Sequence, residues 1–128
     1  MMSDIRSLYQ KLMAARPLLE SALANGIGAY SFADIKEAVM AGDMQLWTLD
    51  SSAAITEIVR YPQYTAVVIV LGAGNMDELR DAVPEVEEFA RIVGAQRILV
   101  CGRLGWLRAL KDKGFTSAQA WAVKEVSA

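Results

Sequence analysis

Thr65-Ala66-Val67-Val68-Ile69-Val70-Leu71-Gly72-Ala73-Gly74 is the stretch that decides the fold. From Ala66 to Leu71 no polar residue interrupts the apolar run. A strand of that kind is buried on both faces, so it belongs in the middle of a sheet. The two glycines then break it. Asn75 can cap a short turn of helix over residues 76–81, and Pro84 suits the start of a second helix over 85–93, which Gly94 ends. Residues 98–101 are apolar again, and 97–101 read as a strand. Strand, helix, strand over 64–101 implies a parallel crossover. Cys101 falls within that last apolar run and reads as a small buried hydrophobe rather than a nucleophile.

Upstream, the pattern is helical first and then strand-like. Ile5, Leu8, Leu12, Leu18, Leu19 and Leu23 recur near helical spacing over residues 3–24. Pro17 should kink this helix or start a second one. Asn25-Gly26-Ile27-Gly28 stops it. Ser31 reads as an N-cap with Asp34 at the capping-box position, followed by Phe32, Ile35 and Val39 on one face, and Gly42 ends that helix. Residues 44–49 and 54–61 read as strands, the second of mixed polarity (Thr56, Glu57, Arg60), which implies one wet face. Tyr61-Pro62-Gln63-Tyr64 is a hairpin-like turn into the central strand. These three strands form an antiparallel meander.

Downstream, residues 104–113 read as a short helix with Leu104, Leu107 and Leu110 in register, closed by Gly114. Residues 118–126 alternate enough to make a last strand.

Composition removes more chemistry than it suggests. Of 128 residues, 54% are hydrophobic and 22% charged, which makes one folded domain with a real core. There is no histidine, so no Ser-His-Asp triad, Cys-His pair or imidazole metal ligand exists. A single cysteine excludes an internal disulfide and a zinc ribbon. Any catalysis must run on carboxylates, Tyr, Lys or backbone amides. The net charge of −2 gives no global attraction for nucleic acid. Residues 1–6 hold no apolar stretch of a signal peptide, and no apolar run is long enough to span a bilayer. The expected setting is a reducing cytoplasm.

Charge is unevenly placed. Asp77, Glu78, Asp81, Glu85, Glu87 and Glu88 face only Arg80 within residues 72–90. Residues 91–128 hold Arg91, Arg97, Arg103, Arg108, Lys111, Lys113 and Lys124 against Asp112 and Glu125. Either two solvated faces complement each other, or the pair forms a charged docking surface. Trp47 alternates with Leu49 and reads as core. Trp106 lies close to Arg103 and Arg108, which suits either the rim of the core or a protein interface. Trp121 falls in the expected last strand.

Two segments carry a resemblance. Ala90-Arg91-Ile92-Val93-Gly94-Ala95-Gln96-Arg97-Ile98-Leu99-Val100 is a helix, a glycine turn and a strand. Trp106-Leu107-Arg108-Ala109-Leu110-Lys111-Asp112-Lys113-Gly114-Phe115 is a short helix ending in Gly-Phe. In this order, from about Phe32 onward, the chain resembles the GNAT superfamily of acetyl-CoA-dependent N-acetyltransferases. Gly102-Arg103-Leu104-Gly105-Trp106-Leu107-Arg108 resembles a divergent GNAT-like group common in bacteriophage genomes, including small internal virion proteins. The resemblance implies an α/β fold with a GNAT-like mixed sheet, an antiparallel meander then a parallel crossover, preceded by N-terminal helices. Residues 1–25 would be a helical extension and 26–128 the GNAT-like domain.

The resemblance also implies where acetyl-CoA would sit. Pyrophosphate would meet backbone amides after the central strand, here Leu71-Gly72-Ala73-Gly74-Asn75-Met76-Asp77-Glu78, and pantetheine would pair with the strand's exposed edge at Val70, Leu71 and Gly72. The cofactor-binding candidates are therefore Val70, Leu71, Gly72, Gly74 and Asn75. The basic residue of the family's phosphate loop is missing, and Asp77 and Glu78 take its place near the helix start, where they repel an anion. The family's usual tyrosine acid falls on Ala109 or Leu110, which cannot donate a proton. Glu57 is a candidate base, or a polar residue on a wet face; Tyr61 and Tyr64 are acids only if they reach a cleft.

Two functions follow. One is a non-catalytic GNAT-fold component of a phage particle, without a cofactor, whose partners are proteins of the assembly, further copies of itself included, in a bacterial host cytoplasm or virion. The other is an N-acetyltransferase that binds acetyl-CoA.

Overall fold

β3 (Thr65–Ala73) is the spine of the sheet, as its unbroken apolar run requires. The computed structural model describes residues 2–102, 104–120 and 122–127. In chain order, α1 (Met2–Ala24) and α2 (Phe32–Ala41) precede the hairpin pair β1 (Met44–Thr48) and β2 (Ala53–Arg60). After β3 come α3 (Met76–Asp81), α4 (Val83–Ile92), β4 (Arg97–Val100) and α5 (Leu104–Leu110), with a 3₁₀ turn over Lys111–Lys113. The four strands lie in the order β1-β2-β3-β4, antiparallel through β3 and parallel from β3 to β4. This is the mixed α/β sheet expected, with one strand fewer. Residues 118–126, read as a last strand, join no sheet among the described residues, and Trp121 lies outside them.

Each face of the sheet carries its own core. Leu12, Leu19, Ile35, Val39, Met44 and Ile55 form the first, between the sheet and α1 and α2. Val67, Val86 and Ala90 form the second, under α4, with Trp47, Phe89 and Ile98 packed around them. The segment expected as an N-terminal extension thus shares a core with the sheet: Leu12 and Leu19 of α1 have no exposed surface. Pro17 sits inside one continuous helix and does not start a second. It removes one helical N–H donor, and the burial of Leu12, Ala15 and Leu19 on either side offsets that.

Local punctuation matches the chain. Ser31 Oγ accepts from Asp34 N at 3.2 Å and the Asp34 carboxylate accepts from Ser31 N at 2.8 Å, a complete capping box. Gly42 closes α2 at φ 84, a conformation that only glycine adopts without strain.

Two burial expectations are corrected. β3 is fully buried on both faces only at Ala66 and Val67; its second half is half-buried, because β4 stops beside Ile69. β2 has no wet face, since it lies between β1 and β3 and buries Ile55 and Thr56 on opposite faces. Thr56 is satisfied there: its hydroxyl donates to Gln45 Oε1 and accepts from the Trp47 indole, both at 2.9 Å. Trp47 is core, as read, with its ring edge-on to Phe89.

Candidate functional site

The site lies where β3 outruns β4. The parallel ladder ends at Ile69 and Val100, while β3 continues to Ala73. Opposite β2, the register passes from Ile69 beside Thr56 to Leu71 beside Ile55, so Val70 is an extra residue in a β-bulge. Val70 and Leu71 both pack against the first core, and Gly72 turns to the opposite face. The backbone edge of residues 70–73 on the β4 side is therefore unpaired with β4.

Trp106 fills the gap that the diverging strands leave. A Cβ built on Gly72 would lie 2.5 Å from Trp106 Cη2 and 2.9 Å from Cζ2, so the indole rests directly on the glycine backbone. It also reaches Gly102, just past the end of β4. What remains is a narrow apolar cleft of about 40 Å³ between Trp47, Ile69, Gly72, Val86, Trp106 and Leu110. That is room for about one water, not for an extended ligand arm. Leu110, one of the two positions on which the expected tyrosine falls, is buried in this wall.

The turn after β3 is already bonded by protein groups. Asn75 N donates to Ser52 Oγ at 2.7 Å, and Glu78 N donates to Asn75 Oδ1 at 3.1 Å. Ser52 Oγ in turn donates to Glu78 Oε1 at 2.6 Å, and Ser51 N donates to the same carboxylate at 3.1 Å. Gly74, at φ 112, sits against the β1–β2 turn, where an added Cβ would come within 2.6 Å of Ser52 Cα. Its missing side chain makes room for Ser51 and Ser52. The Ser52 hydroxyl first, and then the Ser51 amide, hold the Glu78 carboxyl below its ordinary value. Beside it, Asp50, Asp81 and Glu85 line an open groove. An anion approaching here meets four carboxylates, and the amides of Asn75 and Glu78 are already in use.

The candidate cofactor residues Val70, Leu71, Gly72, Gly74 and Asn75 therefore do come together at one end of β3. The candidate acids and bases lie elsewhere. Glu57 is on the α1–α2 face of the sheet, beside Tyr30, a residue that sequence reading passed over. Burial first, and the Glu57 charge second, push the Tyr30 phenol up, so it holds its proton. The Tyr61 and Tyr64 rings meet at a tilt at the far end of β3, and Arg97 lies over the Tyr64 ring. At about 3.3 Å per residue, Tyr64 is roughly 25 Å along the strand from Gly72, so neither tyrosine reaches the cleft. Cys101 is exposed, not buried, because β4 ends one residue before it. No group of His, Cys, Asp or Glu able to hold a metal, and no helix long and apolar enough to cross a membrane, occurs among the described residues.

The charged stretches do meet, but with inverted signs. Arg80, the base of the acidic stretch, pairs with Asp112, an acid of the basic one, and so ties α3 to the turn after α5. Arg91 bonds within α4, to Glu88 at 3.0 Å.

No family model and no curated protein sequence matches the chain. Solved structures do. A probable acetyltransferase superposes with a TM-score of 0.69 at 11% identity, covering 93% of this chain and 93% of that one. An acetyltransferase of Trypanosoma brucei gives 0.66 at 10% identity, covering 92% and 94%. A protein of Thermus thermophilus gives 0.62 at 18% identity, covering 91% and 94%. At such identities the likeness speaks for the fold alone. With its bulged central strand, its meander and its parallel crossover, the chain has a GNAT-like acetyltransferase fold.

Proposed function

We propose that this chain uses the GNAT-like fold without its chemistry, as a structural or internal component of an assembled particle. The residues present do not fit acetyl-CoA. One observation carries this reading: the turn that would receive a pyrophosphate has its amides at Asn75 and Glu78 bonded to Ser52 and Asn75, with the Glu78 carboxylate seated over it. Trp106 over Gly72 supports it, because the indole lies at the strand end where the pantetheine arm would run. The finer assignment, to a bacteriophage particle, rests on the resemblance of residues 102–108.

A second reading, an acetyl-CoA-dependent N-acetyltransferase with Glu57 or an ordered water as base, has one observation in its favour. The backbone edge of β3 beyond Ile69 is unpaired with β4. Calorimetry and thermal shift with millimolar acetyl-CoA separate the two. The proposal expects no heat of binding and an unchanged melting temperature; saturable binding overturns it. Mass spectrometry of particles purified from the source tests the assembly role, and absence of the protein from them counts against it.

A further inference from the structure

Two features of the chain are each incomplete. β4 is an edge strand: β3 bonds one side of it, and no strand covers the other among the described residues. Residues 116–127 have the opposite deficiency. The described ones among them form no helix or strand, and each of these is exposed. Val123 and Val126 present 64% and 90% of their surface to water. Residues 118–126 combine small apolar residues with Val123 and Val126 and contain no proline, so nothing in them bars a strand.

An open edge is a template for another strand, and a lone strand gains nothing until it is paired. Natural edges are blunted by charge, proline or a bulge. β4 carries only Arg97, followed by Ile98, Leu99 and Val100. In the single chain the edge and the segment both remain unpaired, because the chain leaves α5 through the tight Gly114 turn, at φ 89, and runs into solvent. A second copy offers each feature what it lacks.

We infer that the segment 117–126 of one copy adds as a strand to the β4 edge of another, reciprocally, so that two copies form a closed pair. The exchange is isologous: the same contact is made twice about one axis, which closes the pair. Lengths favour it. Four residues of β4 span roughly 13 Å and the ten of the segment roughly 33 Å, so the segment covers the whole edge with residues to spare. Charges agree, since Glu125 follows Val123 on the strand face opposite Lys124 and can meet the exposed Arg97 of the edge. The inference is independent of whether acetyl-CoA binds.

Light scattering on the eluting full chain, over a wide concentration range, is the test. The expected mass is that of two chains, falling to one on dilution. Backbone N–H groups alternate in direction along a strand, so of Ala122→Pro and Val123→Pro one must remove a ladder donor. One of these variants should lose the two-chain form, with its circular dichroism and melting as a single chain kept, since both positions are exposed. Hydrogen exchange should show protection of residues 117–126 only in the two-chain form. A single-chain mass at every concentration overturns the inference, whether or not the segment is protected. So does a two-chain form that survives both prolines.

Discussion

The Trp106 indole lies on the Gly72 backbone so closely that a single methyl at Gly72 would sit 2.5 Å from Cη2. Glycine at the end of β3 and tryptophan in α5 are therefore one structural unit, although 34 positions separate them in sequence. The contact fastens α5 to the sheet where β4 no longer can.

Gly72→Ala should displace the indole and cost about 1–3 kcal/mol, the range of overpacking in a filled site. Urea unfolding reads the loss, and tryptophan emission should shift to the red. Gly105→Ala, in the same helix, meets nothing within 4 Å. It should stabilise the chain by about 0.5–1 kcal/mol, through helix propensity alone. Equal effects at the two glycines would contradict the close contact.

Ser52 is the hub of the turn after β3, and it is nearly fully buried. Ser52→Ala strips the Asn75 N–H and the Glu78 carboxylate of a partner at once. The expected loss is about 1–3 kcal/mol. The freed amide also gives the proposed function a sharper control: if self-capping is what excludes anions, this variant gains weak phosphate affinity that the parent lacks.

Glu78 makes stability depend on pH in a defined direction. Its carboxyl is held below the ordinary value of 4.5 in the folded chain. The unfolded chain therefore takes up the proton first as pH falls, and stability drops. The contribution is whole above about pH 4.5 and disappears as pH passes down through the folded value. Asp34, held low mainly by the Ser31 amide, acts in the same sense below 3.8. In denaturant titrations, the stability gap between the parent and Glu78→Gln should be constant near neutral pH and close on acidification. A gap that ignores pH would show that the carboxylate is not bonded as described.

Leu19 tests the standing of α1. The side chain is fully buried against α2 and the sheet. Leu19→Ala should cost about 2–5 kcal/mol and lower the single unfolding transition of the whole chain. A dispensable extension would instead melt on its own and leave the main transition in place.

Much of this architecture is legible in the sequence, because it rests on local signals. Ser31 with Asp34, Gly42, Asn75 and Pro84 each announce a helix end within four residues of themselves, and the Ala66–Leu71 run announces a central strand. What escapes is decided between distant segments. Gly74 reads as part of a glycine-rich phosphate turn; the neighbour that its missing side chain makes room for is the Ser51–Ser52 turn, which no local pattern announces. Cys101 belongs to an apolar run that outlasts its own ladder by one residue, so periodicity buries it and the edge of the sheet exposes it. Residues 118–126 have a composition that a strand tolerates, but composition describes a segment, whereas a strand is a relation between two. The proximity of Tyr30 to Glu57 has no sequence signature, since a loop tyrosine meets a strand carboxylate only after the sheet closes.

The odd residue at Val70 settles where the indole can rest. Counting by twos from Val67 would put Leu71 beneath Trp106 and send Gly72 into the first core. The bulge reverses the parity, so the bulky side chain goes inward and the bare backbone goes under the ring. Deleting Val70 alone would keep Leu71 beside Ile55 and Gly72 under the ring, at the cost of one core side chain. Inserting a residue after Leu71 would turn Gly72 over and leave the ring without a seat. The fit of α5 to the sheet thus depends on how many residues precede the glycine as much as on which residues they are.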